Sequence, residues 1–167
     1  MPRAEVDDHP AGVAIHGHAG PERRCQCPLY RQDVAATGGG SVACLPIEAD
    51  GRLGEAKSFF QHQGSSVNLK RQAGPHAHGI YVDPANRFVF VPDLGLDKVM
   101  IYRLDAERAA MTPNTPASAS VPAGAGPRHL AFHPNGRFVY VINEMGSTLT
   151  VFRYDAGRGS LDLVETV

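Results

Sequence analysis

Two stretches of this chain superimpose without a gap. AHGIYVDPANRFVFVPDLGLDKVMIYRLD (77–105) lies over PRHLAFHPNGRFVYVINEMGSTLTVFRYD (127–155), each residue falling fifty positions before its counterpart. Self-similarity at this period marks a unit that cannot bury its apolar faces alone and stacks on its own copies. In each copy a turn, Asn86-Arg87 or Asn135-Gly136-Arg137, precedes an apolar run. Phe88 and Phe90 alternate with Val89 and Val91, as Phe138 and Tyr140 do with Val139 and Val141, so both faces of that run are apolar. This is the pattern of a strand buried between layers. Val99 and Ile101, matched by Leu149 and Val151, form the period-two face of a third strand. SASVPA (118–123) and SLDLVETV (160–167) are the expected fourth strands, the former inside a low-complexity loop, NTPASASVPAGAGP (114–127).

Four antiparallel strands in every ~40–50 residues is the arithmetic of a β-propeller blade. An ordinary β-sandwich leaves the ungapped repeat unexplained. GGGSVACLPIEADGRLGEA (38–56) matches the third strand and following turn, making a partial third copy. The expected fold is all-β: a β-propeller of four-stranded antiparallel blades, present over 38–167 as a partial arc of about two and a half blades. Residues 1–37 show no such alternation and are expected to be atypical and poorly ordered. Open strand edges at the ends of an arc offer a route to self-association.

Composition narrows the function. Lys and Arg number 16 against 17 Asp and Glu, so no global field favours nucleic acid or an anionic membrane as partner. No apolar run approaches the ~18 residues of a membrane span. Cys25, Cys27 and Cys44 are an odd, sparse set, which argues against a disulfide framework and for a reducing, intracellular setting. His16, His18, Cys25 and Cys27 are metal-ligand types, but HxH followed by CxC lacks the usual zinc spacings, and no metal is expected.

Chemistry is sought where the copies differ. GPHAHGIYVDP (74–84) over GAGPRHLAFHP (124–134) keeps Ile80 over Leu130 and Pro84 over Pro134, yet sets His78 over Arg128. The first strand of a blade lines the central channel, so these two residues should sit side by side at one mouth. Antiparallel pairing returns the end of the second strand to the start of the first. That end carries Asp93-Leu94 in one copy and Asn143-Glu144 in the next, which brings Glu144 to the same face. The bland alternative is a solvated strand start with Glu144 merely paired to Arg128. Convergence of an imidazole, a guanidinium and a carboxylate on one face favours a site.

GPHAHGIYVDP, RFVFVPDLGLDKVMIYRLD and above all GPRHLAFHPNGRFVYVINEMGSTLTVFRYD resemble the seven-bladed propeller lactonases, which include bacterial-type 6-phosphogluconolactonases and fungal carboxymuconate cyclases. HQGSSVN (62–68) and KRQAGPHAH (70–78) share the likeness, which covers 38–167 and nothing in 1–37. The resemblance implies catalytic roles for His78, Arg128 and Glu144, no cofactor, a sugar lactone as small-molecule partner and a cytoplasmic location. It also implies a further channel arginine on later blades. On that footing Arg71 and Lys70 are candidates for gripping a 6-phosphate, and His76 for orienting the site. Exposed loop cations are more often merely solvated, and a plain turn histidine is equally open. His129 is expected to turn away from the channel, and Arg87 and Arg137 to be structural, on the opposite face. The implied reaction is hydrolysis of 6-phosphoglucono-lactone to 6-phosphogluconate in the pentose phosphate route, with Glu144 and His78 sharing the proton work. The alternatives are a muconate-type lactonizing cycloisomerase and a non-catalytic propeller fragment serving as an interaction module.

Overall fold

The computed structural model describes residues 28–31 and 39–167. Most of the N-terminal segment set apart above, including His16, His18, Cys25 and Cys27, lies outside the described residues. The described residues form eleven strands: β1 (Pro28–Arg31), β2 (Ser41–Cys44), β3 (Ser58–Gln61), β4 (Tyr81–Val82), β5 (Phe88–Asp93), β6 (Lys98–Asp105), β7 (Ala110–Ser120), β8 (Pro127–Phe132), β9 (Phe138–Asn143), β10 (Thr148–Asp155) and β11 (Ser160–Thr166). They form one three-stranded sheet, β1-β2-β3, and two four-stranded sheets, β4-β5-β6-β7 and β8-β9-β10-β11. Each consecutive pair is antiparallel, so the blades of the repeat are two whole sheets and one partial sheet. β2 is the middle strand of the partial blade. Its partner β1 falls inside 1–37, where the four residues PLYR are too few to carry a visible alternation.

One strand starts well before its expected position. β7 begins at Ala110, because a tight turn after Asp105 pairs Ala110 with it directly. The ladder then sets Tyr102 opposite Pro113 and slips, so that Met100 meets Ser118. The residues between form a bulge on an outermost strand, a place where proline is tolerated because one side of the strand has no ladder to serve. Pro113 and Pro116 therefore obscure the early part of a strand whose expected start is Ser118. Within the bulge Asn114 is buried, and its Nδ2 donates to the carbonyls of Arg158 and Gly159 at 2.9 and 3.1 Å, tying the blade to its neighbour.

The middle blade is covered on both faces. Phe88, Phe90, Val99 and Ile101 pack against Val139, Val141, Phe152 and Tyr154 of the last sheet. Val89, Val91, Tyr102 and Met111 pack against Val42 and Cys44 of the first. Edge-to-face contacts among Phe90, Phe132 and Tyr154, with centroids 5.5, 5.6 and 5.3 Å apart, join the two complete blades. Every residue of β5 is consequently buried. β9 has the same two-faced apolar pattern but buries one face only: Val139 and Val141 are at 0% while Ile142 is 52% exposed. No further blade covers it among the described residues. Arg87 behaves as a structural residue, its Nη2 donating to the Ala156 carbonyl of the next blade.

The β5–β6 turn is a point of close approach. A Cβ on Gly95 would lie 1.9 Å from the Gly74 carbonyl oxygen, in backbone that cannot yield cheaply. Gly95→Ala is expected to lower stability by roughly 1–3 kcal/mol, as overpacking typically does. The reading is the midpoint of urea unfolding, and an unchanged midpoint would mean that the 74–76 segment is free to move.

Candidate functional site

Two blade starts are held in the same way. The Leu94 amide donates to the His76 carbonyl at 2.9 Å, and the Glu144 amide donates to the Gly126 carbonyl at 2.8 Å. These equivalent bonds return the end of β5 to the approach to β4, and the end of β9 to the start of β8. They place Glu144 beside Arg128, whose Nη1 lies 3.0 Å from Glu144 Oε2. The other carboxylate oxygen, Oε1, accepts from Arg71 Nη2 at 2.7 Å. One glutamate is thus gripped by two guanidinium groups, one from its own blade and one from the loop 62–76. His78, half-buried, is near enough to feel the charges of Arg128, Glu144, His129 and His76.

The structure therefore brings together His78, Arg128, Glu144 and Arg71, with His76 close by. Lys70 is not part of the cluster. It is exposed, its amide caps the Asn68 side chain at 3.1 Å, and its ammonium makes no hydrogen bond or ion pair with a described residue. His129 corrects the expectation that alternation turns it away. The β8–β9 ladder slips between Pro127 and His129, so Arg128 is an extra, bulged residue and the simple two-residue period fails there. His129 Nδ1 meets the Tyr81 hydroxyl at 3.0 Å, and His129, Arg128 and Glu144 line a cleft of about 690 Å³ whose far side is Ile142, Leu149 and Val167.

Sequence reasoning missed what anchors the loop 62–76. Gln72 is fully buried, its Nε2 donating to the Leu94 carbonyl at 2.8 Å and its Oε1 accepting from the Asn68 amide at 3.1 Å. Asp97, also buried, accepts from Ser66 Oγ and from the amides of Gly124 and Gly126 at 2.5, 2.6 and 2.7 Å. Nothing in the sequence distinguishes these from ordinary loop polar residues, since apart from the Asn68 amide their partners lie about 20–30 positions away.

The electrostatics assign states. Glu144 is held below its usual value of 4.5, first by the Arg71 hydrogen bond, with the Arg128 charge adding and partial burial opposing. It is a carboxylate at neutral pH with both oxygens engaged. His78 is pushed below its usual 6.5, first by burial and then by the Arg128 charge, with Glu144 pulling the other way. A neutral imidazole can accept a proton, and the two arginines on Glu144 can hold an anion. Among the described residues no group of three or more His, Cys, Asp or Glu side chains is placed to hold a metal ion.

The family profile described as "Lactonase, 7-bladed beta-propeller" matches residues 33–167. A 6-phosphogluconolactonase of Pectobacterium carotovorum subsp. carotovorum is 38% identical over 133 residues, which are 80% of this chain and 36% of that protein. Of solved structures, the periplasmic gluconolactonase of Pseudomonas aeruginosa superposes with a TM-score of 0.74 at 37% identity, over 83% of this chain and 38% of that one. A Lactobacillus plantarum protein superposes with a TM-score of 0.73 at 28% identity, over 84% of this chain and 38% of that one. The chain spans little more than a third of the length of these proteins, at 36% and 38%.

The placement of charges around His78 has a direct readout. In an NMR titration His78 is expected to protonate below 6.5. Arg128→Gln removes a facing cation and should raise that value; Glu144→Gln removes a facing anion and should lower it further. Movement in the opposite sense, or none in either variant, would show that these side chains do not face the imidazole.

Proposed function

Because the chain belongs to the seven-bladed β-propeller lactonase family, we propose that its blade mouth binds and hydrolyses a sugar lactone, as in 6-phosphogluconolactonase. The reaction is 6-phosphoglucono-lactone plus water to 6-phosphogluconate. The observation that supports this best is a single cluster. A neutral imidazole, His78, stands beside a glutamate whose two oxygens are each held by an arginine.

Lactone hydrolysis needs a base for water, donors for the oxyanion and an acid for the leaving alkoxide. His78 takes the proton as water attacks the lactone carbonyl carbon, a step in which a positioned base typically contributes ~10²–10⁴-fold. Arg128, with its side chain 47% exposed, has N–H groups to spare for the oxyanion. The tetrahedral intermediate collapses by breaking the bond between that carbon and the ring oxygen. The His78 imidazolium returns its proton to the departing oxygen, leaving a hydroxyl and a carboxylic acid that ionises in water. The sequence reading divided the proton work between Glu144 and His78. The electrostatics favour giving it to His78, because Glu144 is a weak base with both oxygens occupied and too acidic to donate at neutral pH. Glu144 then aims Arg128 and Arg71. Arg71, on the loop, suits the phosphate end of the substrate, with Lys70 within the same loop tip. Such a sugar phosphate fits the cytoplasmic setting that the sequence suggests.

The test is phosphogluconate release from freshly generated lactone, corrected for spontaneous hydrolysis. His78→Ala is expected to lower the rate by ~10²–10⁴-fold. Because the base must be neutral, kcat/KM should rise with pH through a value below 6.5 and level off above it. Copies closing a ring through their open edges would add a dependence of specific activity on protein concentration. Hydrolysis by the His78→Ala chain at the unmodified rate would overturn the assignment.

A further inference from the structure

The loop 62–76 carries Arg71 to Glu144 and ends just before His78, and both its ends meet one carboxylate. Asp93, the last residue of β5, is 0% exposed. Its Oδ2 lies 2.6 Å from His62 Nδ1, at the start of the loop. Its Oδ1 accepts from the His76 amide at 2.7 Å, at the end of the loop, and from the Gly95 amide at 3.0 Å. His62 is itself only 4% exposed, and its Nε2 is 2.8 Å from the Tyr102 hydroxyl on β6. A loop of about 6–16 residues whose ends are held close and whose inside is filled by its own side chains is an Ω-loop. Here the filling is supplied by Gln72 and the closure by Asp93.

We propose that Asp93 and His62 form a clasp that closes the loop 62–76 and so positions Arg71 against Glu144. Neither residue touches the mouth; both are positioning residues. The neighbouring blade shows that blade architecture does not demand this carboxylate. At the matching place, fifty residues on, stands Asn143. Its Nδ2 donates within its own sheet, to Thr148 and Thr150 at 3.0 and 2.8 Å, and its Oδ1 has no hydrogen-bond partner among the described residues. The charged form stands where two loop ends must be gathered. A buried carboxylate is tolerated there because three N–H donors surround it, and charge-assisted bonds of this kind are roughly twice as strong as neutral ones. Without the His62 bond the loop would keep the Gln72 and Ser66 anchors and the backbone bonds of His62 to Gly40 and of Leu94 to His76, but lose the side-chain link that draws its two ends to one carboxylate, and Arg71 would be less firmly aimed.

Limited trypsin digestion of the full chain reads loop closure without any need of activity, because Lys70 and Arg71 are cleavage sites at the loop tip. His62→Phe keeps the ring against Tyr102 and removes both nitrogens. Cleavage after Lys70 and Arg71 is expected to accelerate by roughly tenfold or more, as a local opening would. Cleavage after Arg103 and Arg153, which lie in β6 and β10, should not change. His62→Asn, whose amide nitrogen stands near the position of Nδ1, should restore slow cleavage. If His62→Phe alone fails to fold, the double variant His62→Phe, Tyr102→Phe leaves no hydroxyl unpaired and is digested instead. Unchanged cleavage at the loop, or equal acceleration at Arg103 and Arg153, would overturn the clasp. The catalytic consequence, a higher KM with kcat less affected, rests on the lactonase reading. An unmodified chain that hydrolyses no lactone would sink that reading and leave the digestion result standing.

Discussion

Between β5 and β6 the chain reverses from Asp93 to Asp97, and the carboxylates at the two ends of that turn are buried at 0% and 4% exposed. A buried carboxylate costs several kcal/mol unless donors replace its water. Each of these has three. Asp93 gathers His62, His76 and Gly95; Asp97 gathers Ser66, Gly124 and Gly126. The donors come from the preceding loop on one side and from the next blade on the other. His76 leads to His78 and Gly126 leads to Arg128, so two residues of the mouth on adjacent blades are referenced to one rigid turn. Asp97 adopts a left-handed backbone, φ 53°, which aspartate accepts more readily than most side chains.

The mouth itself is built of pairs that contribute position more than stability. Arg71 and Arg128 are about half exposed, at 55% and 47%, and ion pairs in such settings are worth about 0–1 kcal/mol. Their value lies in charge balance. Two guanidinium groups on one glutamate leave a net positive charge for an anion, while burial first and the Arg128 charge second hold His78 below its usual value. The same arrangement prevents Glu144 from acting as a proton carrier. A neutral imidazole and a paired carboxylate are thus set apart by their neighbours, although either residue type can carry a proton in isolation.

Much of this was legible from the repeat. Phe88 to Asp93 and Phe138 to Asn143 are strands where alternation predicted them, and the pairing of strand ends brought Glu144 to Arg128 as expected. The failures are local and have causes. β1 is too short to show a period, and the early part of β7, before the expected start at Ser118, is masked by Pro113 and Pro116, which a bulged outer strand tolerates. His129 departs from its expected direction because the bulge at Arg128 breaks the two-residue period there. Arg71 was singled out for a substrate phosphate, and its bond to Glu144 lies 73 positions away in the chain. Nothing in local pattern reports a contact of that span.

The sequence by itself determined the blades, since side-chain alternation and turn residues act over a few positions and the repeat prints them twice. It also determined which residue types stand at each blade mouth. The tertiary structure decided which of them meet, and in what protonation state. Those depend on burial and on charges that approach only when separate segments pack, as when Asp93 meets both His62 and His76, or when burial and the Arg128 charge hold the imidazole of His78 neutral. Burial was decided there too: β5 and β9 share one pattern, yet among the described residues no further blade covers one face of β9, because packing partners are a property of the assembled layers and not of the strand.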